Sequence, residues 1–132
     1  MALRLSLAFF DSPRMEPIKD GTVVPENIDL DIISFRPGGT LFVRNLKYDE
    51  FDISEMSISE TLLARERTDG TCWDWTSLPV FLGRGHLWAN LWVNSASGIG
   101  SLSDLKGKRI GIPDYVMTAA LWFRITLKDL YG

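Results

Sequence analysis

Apolar positions alternate from the start of the chain: Leu3, Leu5 and Leu7 fall at period two before Ala8, Phe9 and Phe10 run together. Residues 3–10 therefore predict a strand that becomes buried on both faces towards its end. Asp11-Ser-Pro breaks it, and Asp20-Gly21 and Pro25 punctuate a polar connection. Ile28, Leu30 and Ile32 then alternate with Asp29 and Asp31, the pattern of a second, half-buried strand closed by Pro37-Gly-Gly. From Thr40, a candidate N-cap, Leu41, Val43 or Arg44, Leu46 and Tyr48 recur at helical spacing. Residues 51–56 predict a third strand. Ser59 opens a second helix with Leu62 and Leu63 inward and Glu60, Arg65 and Glu66 towards water. The order β, β, α, β, α is that of an α/β fold.

The second half is less regular. Residues 67–71 form a polar loop, after which residues 78–82 and 87–93 are apolar enough to predict two strands joined by Gly83-Arg-Gly85. Small polar residues at 94–101 have the composition of a hinge, which places a boundary between residues 1–94 and 95–132. Beyond it come a helical turn ended by Gly107, a strand over 109–113 and a helix over 118–131 with Leu121, Trp122, Ile125 and Leu130 close to one stripe. One strand and one helix cannot bury a core of their own. The expectation is a truncated two-lobed protein: an incomplete first lobe over 1–94, lacking its C-terminal return, then the hinge and start of a second lobe. A sheet edge left open in that way predicts self-association.

Composition narrows the chemistry. At 132 residues, with 45% hydrophobic and 23% charged residues, the chain has the balance of a globular core. A net charge of −3 without clustered Lys and Arg argues against nucleic-acid binding. Cys72 is the only cysteine and His86 the only histidine, so neither an intrachain disulfide nor a zinc site of usual ligand count can form. Arg4 and Ser6 interrupt the apolar start, and no run reaches the roughly 18 apolar residues of a membrane span, which together predict a cytoplasmic protein with no membrane partner.

The run Ser103-Asp-Leu-Lys-Gly-Lys-Arg-Ile-Gly-Ile-Pro resembles the helix-turn-strand that begins the second lobe of type II periplasmic solute-binding proteins and their enzyme relatives. Its continuation, Asp114-Tyr-Val-Met-Thr-Ala-Ala-Leu-Trp-Phe-Arg, is similar to the 4,5-dihydroxyphthalate decarboxylase family, in which a Tyr-x-Met-Thr-Ala-Ala run opens the following helix. Phe51-Asp-Ile-Ser-Glu-Met-Ser-Ile-Ser and Val93-Asn94 resemble further family segments in the same order. The resemblance implies a type II periplasmic-binding-protein-like α/β fold, represented by most of lobe 1 and the first βα unit of lobe 2. Two departures stand out. Leu87-Trp-Ala occupies positions where relatives carry Arg-His-Ser, leaving Arg84 retained, and Asp11-Ser-Pro-Arg14 keeps only the ends of a family Asp-Tyr-Asp-Arg.

In open α/β sheets ligands bind beyond the carboxyl ends of the strands, a rule that nominates Asp11, Arg14, Glu55, Ser57 and Thr118. Thr118 at a helix start, with the amides of Ala119 and Ala120, is suited to a carboxylate. Glu55 and Asp11 are the candidate acids, and Arg14 and Arg84 are candidate bidentate clamps. His86 reads as a polar loop residue, since Trp88 takes the place of the family histidine, and the five tryptophans read mainly as core. The resemblance implies loss of CO2 from a hydroxylated aromatic dicarboxylate after ring protonation. The sequence itself calls for no cofactor and shows no metal-ligand set. The alternatives are a non-catalytic binder of a small organic acid and an inactive fragment.

Overall fold

The computed structural model describes residues 1–68, 73–85 and 91–132. Its regular elements are β1 (Leu3–Phe10), α1 (Glu16–Lys19), β2 (Ile28–Phe35), α2 (Leu41–Tyr48), β3 (Ile53–Ser54), α3 (Ile58–Thr68) and α4 (Thr118–Tyr131), with 3-10 turns at Ser95–Ser97 and Leu102–Leu105. Two compact units emerge, one formed by Met1–Met56 with Arg65–Leu82 and the other by Ser57–Ala64 with Gly83–Gly132.

The first unit is a parallel sheet of order β2-β1-β3. Parallel neighbours need crossover connections, and α1 and α2 lie on the paths that return the chain to the same end of the sheet. Leu3 pairs with Ile28 and the register runs unbroken to Phe10 with Phe35, whereas β3 contributes only Leu7 with Ile53 and Ala8 with Ser54. The central position of β1 explains the complete burial of Ala8 and Phe9. Ala8, Leu41 and Phe51 form the core, with Phe10, Ile33, Phe35 and Phe42 packed around them. The rings meet edge to face: Phe10 and Phe42 at 5.0 Å, Phe35 and Phe51 at 5.8 Å. Arg44 closes this cluster, its guanidinium 5.2 Å from the Phe35 ring and 5.3 Å from the Phe51 ring, while Glu50 takes its N–H groups as a bidentate pair.

Two acidic side chains extend the two-residue β3. Asp52 Oδ2 accepts from the Ser6 amide at 2.8 Å and the Ser6 hydroxyl at 2.7 Å, and the Asp52 amide donates back to Ser6 Oγ at 2.9 Å. At the other end, Glu55 N–H reaches the Ala8 carbonyl at 2.8 Å and Glu55 Oε2 accepts from the Phe10 amide at 2.9 Å. Side-chain oxygens thus take amides of β1 that a longer strand would meet with carbonyls.

In the second unit, Ser101 and Asp104 form a capping box around the turn Leu102–Leu105, Gly107 adopts a φ of 74°, and Leu105 is buried. Asn94 caps the turn Ser95–Ser97 by accepting from the Ala96 amide at 2.9 Å.

The structure corrects several expectations. Residues 78–82 are not a strand: Pro79 carries no amide hydrogen, Val80 N–H closes on Leu78 O at 2.8 Å, and Leu78, Val80 and Phe81 are exposed. Residues 109–113 are likewise irregular, with Ile110 and Ile112 exposed, because an apolar run becomes a strand only beside a partner. The third strand is shorter than 51–56. A short α1 replaces part of the polar connection, started by Glu16-Pro17, residues suited to a first helical turn. Trp92 and Trp122 are exposed, whereas Trp73 and Trp75 donate to Leu46 O at 2.9 Å and Asp49 Oδ1 at 2.7 Å. Most of the strand expected over 87–93, with Trp88, lies outside the described residues, as do Cys72 and His86.

The Ser6 hydrogen bonds hold the Asp52 carboxyl below its ordinary value of 3.8. A group lowered in this way stabilises the fold above its unfolded pKa, and that contribution is lost as pH falls through the lowered folded value. Hydrogen exchange should therefore find Ser6 protected near neutral pH and lose part of that protection on acidification below pH 3.8. Asp52→Asn should weaken the protection and remove the acid step.

Candidate functional site

The structure distributes the nominated residues between the two units. In the first, Asp11 follows β1 and pairs with Lys19 at 2.7 Å, and Lys19 also meets Glu16 at 2.7 Å. The Lys19 ammonium, hydrogen-bonded to Asp11, is the main cause that holds the Asp11 carboxyl below its usual value, with Ser34 adding to the effect. Asp11 is thereby favoured as an anion. Arg14 is exposed and gives one N–H to the Leu82 carbonyl at 3.0 Å. Glu55 is half-buried at the exit of β3, with Oε2 bound to the Phe10 amide.

The second unit brings the other candidates together. Ser57 occupies the cap position of α3, its carbonyl accepting from the Thr61 amide and the Thr61 hydroxyl, each at 2.9 Å. Thr118 is not the cap of α4. Met117 holds that place with an extended backbone, and Thr118 is the first helical residue. Its hydroxyl turns instead to the start of α3: Oγ1 accepts from the Ser59 amide at 3.2 Å and lies 2.9 Å from Ser57 Oγ and 3.1 Å from Ser59 Oγ. Thr118 thus caps a helix remote in sequence, satisfying one of the amides that the first turn of α3 leaves unpaired.

Proton counting orders this cluster. The Ser59 hydroxyl donates to the Val116 carbonyl at 2.6 Å, since a carbonyl can only accept. Ser59 Oγ is then an acceptor for Thr118 or Ser57, and Thr118 can donate to either serine. Ser57 and Ser59 are buried, as is Ala120, while Thr118 and Ala119 are half-buried. The first bond within α4 runs from Leu121 N–H to Met117 O at 3.0 Å, so the amides of Thr118, Ala119 and Ala120 precede the hydrogen-bonded ladder. Two helix starts, each the positive end of its peptide dipoles, meet at three hydroxyls. Such a place favours an anion over a cation.

Arg84, in the same unit, is exposed between Gly83 and Gly85. Among the described residues, no three Asp, Glu, His or Cys side chains group as a metal site would require, and no helix is long and apolar enough to cross a membrane. Ser59, which the sequence marks only as the opening of a helix, joins the cluster from the first turn of α3. Its spacing from Ser57 signals a cap, and only the tertiary contact reveals that it fixes Val116 and Thr118.

The fold and cluster define a parallel α/β chain with a hydroxyl-lined junction of two helix N-termini. Within that class, the chain is similar to the 4,5-dihydroxyphthalate decarboxylase of Comamonas testosteroni, with 34% identity over 130 residues, and to that of Pseudomonas putida, with 32% identity over 130 residues. Each match covers 98% of this chain, so the resemblance carried by the Tyr115–Ala120 run extends along nearly its whole length. The chain spans 38% and 49% of the length of these two relatives. No family model matches it.

Replacing Thr118 by Val keeps the shape and removes the shared hydroxyl, leaving the Ser59 amide without its acceptor. The expected cost is about 1–3 kcal/mol of stability. Thr118→Ser should retain most of it, and urea unfolding of the two variants beside the parent checks both.

Proposed function

We propose that this chain forms part of a carboxy-lyase acting on a hydroxylated aromatic dicarboxylate of the 4,5-dihydroxyphthalate type. The observation that carries this reading is the similarity to two proteins of that name over 98% of the chain. On the binding side, the reading is supported by the amides of Thr118 and Ala119 and a hydroxyl cluster at a positive helix end, groups suited to the carboxylate that the product retains. Arg14 and Arg84 are further candidates for holding the anion. In this reading the fold is type II periplasmic-binding-protein-like.

The reaction adds a proton to the ring carbon that bears the departing carboxylate, with electron release from a ring hydroxyl. Cleavage of the C–C bond then returns its electron pair to the ring and releases CO2. The proton donor must be a carboxylic acid rather than a carboxylate. Lys19 holds Asp11 in the charged form, which disfavours it as donor and leaves Glu55 as the candidate. Glu55 also binds the Phe10 amide through one oxygen, which fixes its direction.

A second reading is binding of an organic acid without turnover. It is favoured because the anion-suited amides and all three hydroxyls already lie within one compact unit, with no acid among them.

Incubation of the protein with 4,5-dihydroxyphthalate and measurement of released CO2 decides between the two. Turnover is expected, and Glu55→Gln should lower it by about two orders of magnitude or more while leaving stability nearly unchanged, because the amide oxygen can still accept from Phe10. Binding in calorimetry with no CO2 would overturn the enzymatic reading in favour of the second.

A further inference from the structure

Arg124 lies on α4 with its guanidinium carbon 3.6 Å from the centroid of the Tyr115 ring, a stacked contact within the second unit. Its Nε is buried and has no hydrogen-bond partner. The ion pairs among the described residues are Lys19 with Asp11, Lys19 with Glu16 and Arg44 with Glu50, none of which involves Arg124. Arginine loses conformational freedom when stacked, and a stacked guanidinium keeps its edge N–H groups directed outward in the plane of the fork.

Long side chains on a helix lean back towards its N-terminus, and Tyr115 precedes α4, so the contact draws the guanidinium from the second turn towards the helix start. A cation there opposes the positive end of the helix dipole, the reverse of the favourable arrangement. The backbone that follows Tyr115 is fixed on both sides: Val116 N–H donates to Asp114 Oδ1 at 2.9 Å, and the Val116 carbonyl accepts from Ser59 at 2.6 Å. A cation stacked on Tyr115 against the dipole, with no ion pair among the described residues, is suited to an anion that approaches its terminal N–H groups.

We propose that Tyr115-stacked Arg124 is a substrate-binding residue, a guanidinium fork for one carboxylate of the aromatic diacid whose other recognition comes from the first turn of α4. This deepens the carboxy-lyase reading and rests on it. Tyr115 acts through Arg124 by holding its plane, which makes it a positioning residue.

Calorimetric titration of the protein with 4,5-dihydroxyphthalate and with its dimethyl ester separates charge recognition from packing. The parent should prefer the diacid. Arg124→Met should lose about tenfold or more of the diacid affinity and leave the ester affinity unchanged, and Arg124→Lys should fall between them, since it keeps the charge without the fork. If Arg124→Met loses helix content by circular dichroism, Arg124→Lys decides: intermediate selectivity supports the fork, and parental selectivity overturns it. Diacid binding by the parent with no change in a folded Arg124→Met removes the Arg124 assignment alone. No diacid binding by the parent removes the carboxy-lyase reading and the Arg124 assignment together.

Discussion

The second compact unit depends on one shared hydroxyl. Thr118 Oγ1 begins α4 and at the same time takes the amide of Ser59, so the first turns of two helices far apart in sequence are fixed to each other by a single oxygen. Two positive helix ends placed side by side repel, and Thr118 Oγ1 offsets part of this by accepting from the Ser59 amide, with the Ser57 and Ser59 hydroxyls beside it. Ser59 adds direction, because its own proton is committed to Val116. The result is a polar junction that is ordered before any ligand arrives. That prior order is what a site needs if binding is not to be weakened by arranging its own groups.

Much of the fold was legible where the signal is local. β1 and β2 follow from strict alternation, and Ala8 and Phe9 prove buried on both sides, as their unbroken apolar run predicts. α2 and α4 follow from helical spacing, and α4 covers the predicted 118–131. Where the outcome depends on a neighbour, the sequence misleads. Residues 78–82 and 109–113 have strand-like composition, yet apolar residues pair only if an edge is available, and no pattern within five residues can report that. The extent of β3 failed for a related reason: Asp52 and Glu55 lend their side chains to β1 where main-chain pairing was expected.

The candidate site was legible in kind more than in arrangement. Thr118 was singled out as a hydroxyl at a helix start suited to a carboxylate; it stands at the start of α4, and its hydroxyl serves the first turn of α3. Periodicity marks a hydroxyl at a helix start but carries no information about which helix it will serve. Asp11 was legible as a carboxylate beyond a strand. Its pairing with Lys19, which decides its charge, depends on the short turn α1 that brings residues 11 and 19 together.

A strand paired through its main chain accepts nearly any residue on its solvent face, because the bonds belong to groups that every amino acid shares. β3 works differently: the two flanking carboxylates make strand pairing a property of residue identity. Tolerance to substitution should therefore be inverted along this stretch of the sheet. The exposed Asp52, which a hydropathy profile would mark as freely replaceable, is instead constrained by the amide and hydroxyl of Ser6 that its carboxylate holds, and drift there would loosen that end of the pairing before any apolar contact had changed.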